Sequence, residues 1–216
     1  MALTPAKVLP LKGVRKVIAE RMRLSLAGTA QVTLHRWADV SPAAQDRALR
    51  PTPPSWTAYF AKAFALALKE MPLFNSHLLG EEIFLFEEVH LGIAVQTQDG
   101  LVVPVLRHAS EGSLANLDGR IRELADRARR RLLTLPDLAD ATASLSNLGM
   151  YGIDFFTPIL NPPQTCILGV GRVRENAGRE EVGLSLTFDH QVVDGALAAQ
   201  FLDKVAGYLA DPGALG

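Results

Sequence analysis

Cysteine is nearly absent: Cys166 stands alone in 216 residues, inside the apolar run "TCILGVG". No disulfide can therefore form within the chain, and nothing points to an oxidising compartment. No stretch approaches the roughly 20 uninterrupted apolar residues of a membrane span. The opening "MALTPAKVLPLKG" lacks the continuous apolar core of a signal peptide. The cytoplasm is the address these absences leave, with no membrane partner expected. Charge of one sign is lacking too, since 22 Lys+Arg face 23 Asp+Glu for a formal net charge of −1. That removes the bulk electrostatic case for a nucleic-acid binder. There is no fixed-period repeat, low-complexity tract or flexible linker long enough to separate two domains. With 48% hydrophobic residues the chain is no disordered polymer, and residues 1–216 read as one domain.

What is present alternates between two periods. "VRKVIAERMRLSL" puts Val14, Val17, Ile18, Met22 and Leu26 on one stripe of a helix. "AQVTLHRWADV" alternates Val32, Leu34 and Arg36 against Thr33, His35 and Trp37, predicting a strand that ends at Ser41-Pro42. The stretch that follows, around "SPAAQDRALRPTPPSW", reads as a loop. Ser55 then caps a helix that is apolar nearly all round and stops before Pro72. Strands flank the turn signal "QDG", and Ser113 opens a second long amphipathic helix through Leu114, Leu117, Ile121, Leu124 and Ala128. Short strands over "ATASLSN", "QTCILGVGRV" and "EVGLSLTF" precede a last helix through Leu197, Phe201, Val205 and Tyr208. The class is mixed α/β without regular βαβ repetition.

Chemistry concentrates in "TFDHQVVDGA", where His190 ends a strand and Asp194 precedes a Gly-started helix. Taken alone, the pattern favours a helix N-cap and a hydrogen-bonded histidine. A second stretch changes the weighing: "ASLSNLGMYGIDFFTPILNPPQTCILGVGRV", with its ordered glycines and Asn-Pro-Pro. Together with "LKGVRKVIAERM" and "TAQVTLHRWADVS", these motifs resemble the catalytic domain of the dihydrolipoamide acyltransferases of 2-oxo acid dehydrogenase complexes, from about Leu11 to Pro212.

The resemblance implies a chloramphenicol acetyltransferase-like fold, a two-layer α/β sandwich with a mixed sheet that forms trimers. Its active site lies in a channel between neighbouring subunits, with coenzyme A and a dihydrolipoyl arm entering from opposite ends. It places the general base on His190, the oxyanion donor on Ser146 and a site-organising role on Asp194, with Arg15 as the structural partner of Asp194. The residue types suit that chemistry: a thiol of pKa about 8.5 is mostly protonated near neutrality, and an imidazole of pKa about 6.5 can take its proton. The expected partners are a homotrimer, or a cage built of trimers, and a lipoyl domain supplied in trans. Coenzyme A enters as substrate, and no metal is needed.

Two departures stand out. Gln191 occupies the position where the family usually has arginine, which puts in doubt any salt bridge or coenzyme A contact made there. No lipoyl or peripheral-subunit-binding domain is visible; the one Asp-Lys pair, Asp203-Lys204, falls in the last helix and reads as a surface pair. The chain is then an excised catalytic domain or a stand-alone relative. Its rivals are a coenzyme A-dependent acyltransferase for a small-molecule acceptor, and a decayed assembly scaffold. Of the remaining candidates, the basic run Arg120–Arg131 is interleaved with acids and reads as a solvated helix face that could attract coenzyme A phosphates. His35, His77, His90 and His108 show no metal-ligand spacing with one another or with Cys166 and read as structural or surface residues.

Overall fold

Periodicity in the sequence becomes five α-helices and ten strands in the computed structural model, which describes residues 4–216. The helices are α1 (Gly13–Gly28), α2 (Ser41–Leu49), α3 (Trp56–Glu70), α4 (Leu114–Arg129) and α5 (Gly195–Ala210). The strands are β1 (Gln31–Asp39), β2 (Ser76–Leu79), β3 (Glu82–Leu85), β4 (Leu91–Ile93) and β5 (Val95–Thr97), then β6 (Gly100–Val102), β7 (Val105–Leu106), β8 (Ala143–Asn147), β9 (Cys166–Asn176) and β10 (Arg179–Asp189). Six strands form one mixed sheet in the order β1-β10-β9-β8-β4-β7, parallel at the β9–β8 and β8–β4 pairs and antiparallel elsewhere. The pairs β2–β3 and β5–β6 are separate hairpins, the second closing over the "QDG" turn.

Strand alternation sorts the sheet into two unlike faces. Val182, Leu184, Leu186 and Phe188 of β10 join Leu168 and Val170 of β9 and Leu145 of β8 in the core under the helices. There α3 packs against α4 and α5. Ten of its residues are buried, as expected of a helix apolar nearly all round. Phe201 of α5 stacks on Phe74 at 4.1 Å and meets Phe64 edge-on at 5.9 Å. Burial of such rings, each worth roughly 2–3 kcal/mol against solvent exposure, makes this layer the main source of stability. Lys62, at 4% exposure, is tolerated inside it because its Nζ donates to the Ser110 and Gly112 carbonyls at 2.8 and 2.7 Å.

The opposite face is polar, and residues 153–161 cross it in contact with the backbone. A Cβ on Gly171 would lie 2.0 Å from the Asp154 carbonyl oxygen, and one on Gly183 only 2.1 Å from the same atom. The two glycines are therefore the groove in which the crossing segment lies.

The helix N-caps read from the sequence form: Ser55 Oγ accepts the Ala58 N–H at 3.3 Å and Ser113 Oγ that of Asn116 at 3.3 Å. The loop expected after Pro42 is corrected, because Ser41–Leu49 is the helix α2. Pro42 sits in its first turn, where a missing N–H is harmless and the fixed φ suits a helix, and Ala43 buries fully against the core. The stripe on α1 behaves differently from the other amphipathic helices. Val17 and Leu26 are 53% and 58% exposed, Ile18 and Met22 half-buried, and Val14 lies outside the described side chains. Asp203 and Lys204 do lie in α5, pairing with Arg36 and Glu70. Among the described residues no helix is long and apolar enough to cross a membrane.

Candidate active site

His190 stands one residue past β10, and its backbone N–H continues the strand pairing by donating to the Ala30 carbonyl at 2.9 Å. Its imidazole is exposed and tilts against Phe188 at 5.8 Å between ring centroids. Four residues on, Asp194 Oδ1 accepts the Leu197 N–H at 2.9 Å and caps α5. A carboxylate suits that position because the first-turn N–H groups of a helix lack intrahelical acceptors.

Ser146 lies near the end of β8 on the polar face, half-buried. Its Oγ makes no hydrogen bond among the described residues, while its neighbours are fully engaged. Ser144 Oγ donates to Gln164 Oε1 at 2.6 Å and accepts from Asn161 Nδ2 at 3.0 Å. Asn147 bonds Thr57 at the start of α3 and accepts the Gly149 N–H at 2.9 Å. The strand end is thus held rigid around one free hydroxyl, as a preorganised donor requires.

The two candidate residues do not meet within one chain. Ser146 is level with Gly169 of β9, and Gly169 with Ser185 of β10, five residues before His190. At about 3.3 Å per residue and about 4.8 Å per strand, the gap is about 19 Å, too far for both to act on one carbonyl carbon.

Within one chain Arg15 does not pair with Asp194 either. Arg15 is exposed in the first turn of α1, and among the described residues it forms no ion pair with Asp194. Geometry gives the reason. The opposite end of α1 touches the His190 loop, through Gly28, and 13 residues of helix at about 1.5 Å each set Arg15 about 20 Å away.

Gln191 is the position that sequence reading left open, and its side chain turns inward. Nε2 donates to the Gly28 carbonyl at 3.1 Å and lies 3.1 Å from each oxygen of Asp189, which is 2% exposed. Asp189 Oδ1 also accepts the Ala30 and Gln191 backbone N–H groups at 3.0 Å each. Asp189 was not singled out by motif reasoning; the signal available was its place on the polar side of β10, in line with Ser185 and Thr187, where a buried carboxylate must find donors.

One further cluster was invisible in the sequence. Glu88, His90 and His108 converge, with one potential ligand atom of each within 4.8 Å of the others. His90 Nδ1 accepts the His108 backbone N–H at 3.1 Å, so the ring proton sits on Nε2, 3.1 Å from Glu88 Oε2. A metal would need that Nε2 lone pair. The bonds instead describe a strut between the start of β4 and the turn after β7. Most arginines of this run are also committed: Arg120 to the Arg107 carbonyl, Arg122 to Asp118 and Arg127 to Asp137 on α4, and Arg130 and Arg131 just beyond it to Asp126 and Asp99. Cys166 is fully buried, and burial pushes its thiol pKa up, away from nucleophilic use.

Comparison with known proteins places the chain in a family and a fold. The family described as 2-oxoacid dehydrogenases acyltransferase (catalytic domain) matches residues 4–216. The dihydrolipoyllysine-residue acetyltransferase component of the acetoin cleaving system of Bacillus subtilis is 43% identical over 228 residues, covering 97% of this chain and 57% of that protein. The chain thus spans little more than half the length of that relative. A solved structure of Azotobacter vinelandii dihydrolipoamide acetyltransferase superposes with a TM-score of 0.93 at 33% identity, covering 98% of this chain and 94% of that one. That work concerned the role of a serine, a histidine and an asparagine in the catalytic mechanism, the last two four positions apart. A chloramphenicol acetyltransferase shares the fold at a TM-score of 0.61 and 16% identity, over 88% and 94% of the two chains.

Proposed function

Because the chain belongs to the family of 2-oxo acid dehydrogenase acyltransferase catalytic domains, we propose that it moves an acyl group between a dihydrolipoyl thiol and coenzyme A. We place the reaction at an interface where His190 of one copy faces Ser146 of a neighbour. The observation that carries this arrangement is the strand register, Ser146 level with Gly169 and Gly169 with Ser185, which at ideal strand spacings leaves about 19 Å between Ser146 and His190 in a single chain. The exposed apolar side chains of α1 and its approach, Val8, Leu9, Leu11, Val17, Leu24 and Leu26, supply a surface for a neighbouring copy to cover. A trimer closes such a contact.

The chemistry follows from the two side chains. Neutral His190 accepts the proton of the incoming thiol as its sulfur attacks the thioester carbonyl carbon. The carbonyl π electrons move to oxygen, and the Ser146 hydroxyl donates to that oxyanion, a contribution of about 3 kcal/mol for one well-aimed donor. Collapse re-forms the carbonyl, breaks the original C–S bond and returns the proton from His190 to the departing thiolate. Asp194 keeps the start of α5 fixed behind the base. No covalent acyl-enzyme forms on this path. Both thiols are substrates, one carried by coenzyme A and the other by a lipoyl group on another domain or chain, and the working address is the cytoplasm.

The test is acyl transfer from acetyl-coenzyme A to free dihydrolipoamide. His190→Ala and Ser146→Ala should each lose activity alone, and chains of the two variants, unfolded together and reassembled, should regain a fraction of it. Native activity that survives His190→Ala rejects the base; two inactive variants that never complement reject the shared site.

A further inference from the structure

The loop that carries His190 is pinned from both sides. On one side the His190 N–H donates to the Ala30 carbonyl, and the Ala30 N–H donates in return to Asp189 Oδ1. On the other, Gln191 joins the same carboxylate to the last turn of α1 through Gly28. A primary amide has two N–H groups, and here three acceptors lie at 3.1 Å. One proton points at the Gly28 carbonyl, and the other is shared by the two carboxylate oxygens. Counting the backbone, Asp189 is satisfied wholly by neutral donors from Ala30 and Gln191. No salt bridge to Asp189 forms among the described residues. The peptide of His190 therefore sits between two residues whose side chains bond each other and the end of a separate helix.

We propose that Gln191 is a positioning residue for His190: with Asp189 it clamps the base to the C-terminal end of α1 and fixes where the imidazole projects. The clamp rests on the function proposed above, in which His190 moves the proton. It also answers what a glutamine does where the family usually carries an arginine. The amide supplies the N–H groups that the buried carboxylate requires, so the clamp survives without a cation. A carboxylate at position 191 would set lone pairs against both Asp189 and the Gly28 carbonyl and turn the clamp into a repulsion. A guanidinium presents five N–H donors and can restore it.

Three substitutions at one exposed position separate positioning from stability. Because a displaced catalytic group costs up to about 100-fold in rate, Gln191→Ala should lower kcat about 10- to 100-fold with KM unchanged. Gln191→Glu should fall further, and Gln191→Arg should return to within about threefold of the native kcat. All are measured well below the melting temperature of each variant. The companion readout is independent of turnover. In Gln191→Ala the backbone amides of Ala30 and His190 should exchange with solvent at least about tenfold faster while those in the middle of β9 and β10 keep their protection. Native rates in the Ala and Glu variants, or unchanged exchange at Ala30 and His190, would overturn the clamp. A native chain with no His190-dependent transfer would sink the function instead, and the exchange data would still decide whether the clamp exists.

Discussion

The two faces of the central sheet are built from the same strands by opposite means. Under the helices, Leu145, Leu168, Leu184, Phe188 and Phe201 exclude water almost completely and contribute through area. On the other face the strands present Thr33 to Thr187 at 2.7 Å, His35 to Ser185 at 2.9 Å, and Ser144 to Gln164 at 2.6 Å. Here stability depends on every donor finding an acceptor, because an unmet buried hydroxyl costs about 1–3 kcal/mol. The division teaches where chemistry can be placed. The apolar face leaves little room for polar side chains, whereas the polar face holds Ser146, whose hydroxyl is unengaged among the described residues while its neighbours Ser144 and Asn147 are bonded.

Substitutions can break or sharpen that contrast. The largest effect is expected under the helices, where Phe201→Ala should cost about 3–5 kcal/mol of unfolding free energy in denaturant titration, with residual activity proportional to the folded fraction. Next comes Ser146→Ala on the polar face, which should reduce kcat by about 100- to 1,000-fold with the melting temperature held to within a degree or two. Equal losses of stability at the two positions would erase the distinction between the faces.

A finer test uses the Thr33–Thr187 pair. Either single change to valine strands the partner hydroxyl and should cost about 1–3 kcal/mol, whereas the double change should recover most of that loss. Additive losses would show that the polar face is held by shape and not by pairing.

The smallest effect concerns acid. Burial pushes the Asp118 carboxyl up, but hydrogen bonds from the Ser55 hydroxyl and backbone N–H and from Arg122 outweigh it, leaving its pKa below the ordinary value of 3.8. A depressed folded-state pKa stabilises the fold above the unfolded value and loses that stabilisation as pH falls through the folded one. The fold should therefore weaken below about pH 4. Asp118→Asn should flatten that limb of the stability profile, and an unchanged slope would remove Asp118 from the account.

Much of this was legible before any coordinates. Ser55, Ser113 and Asp194 announce helix starts because their side-chain oxygens meet first-turn N–H groups within the same few residues. Strand alternation marked the inner face of β10, and Asp203-Lys204 was placed in a helix by the apolar period around it. The helix α2 was missed because Pro42 reads as a stop after a strand and as a start before a helix, and only the burial of Ala43 decides between them. The motif order that links Arg15 to Asp194 carries no information about whether the two meet within one chain or across copies.

By itself the sequence determined most of the elements, the caps and buried stripes of α3, α4 and α5, and the chemical types at positions 146, 190 and 194, because those depend on neighbours within a turn or a strand. Tertiary structure alone decided what depends on separation. Its strand register, at ideal spacings, separates His190 from Ser146 by about 19 Å in one chain, so that a single copy holds only half of the proposed site. It also brought Gln191, bonded to Asp189 two residues before it, against a helix end 163 residues away in sequence. Pairing register and long-range hydrogen bonds are fixed by how layers pack, and no local pattern encodes them.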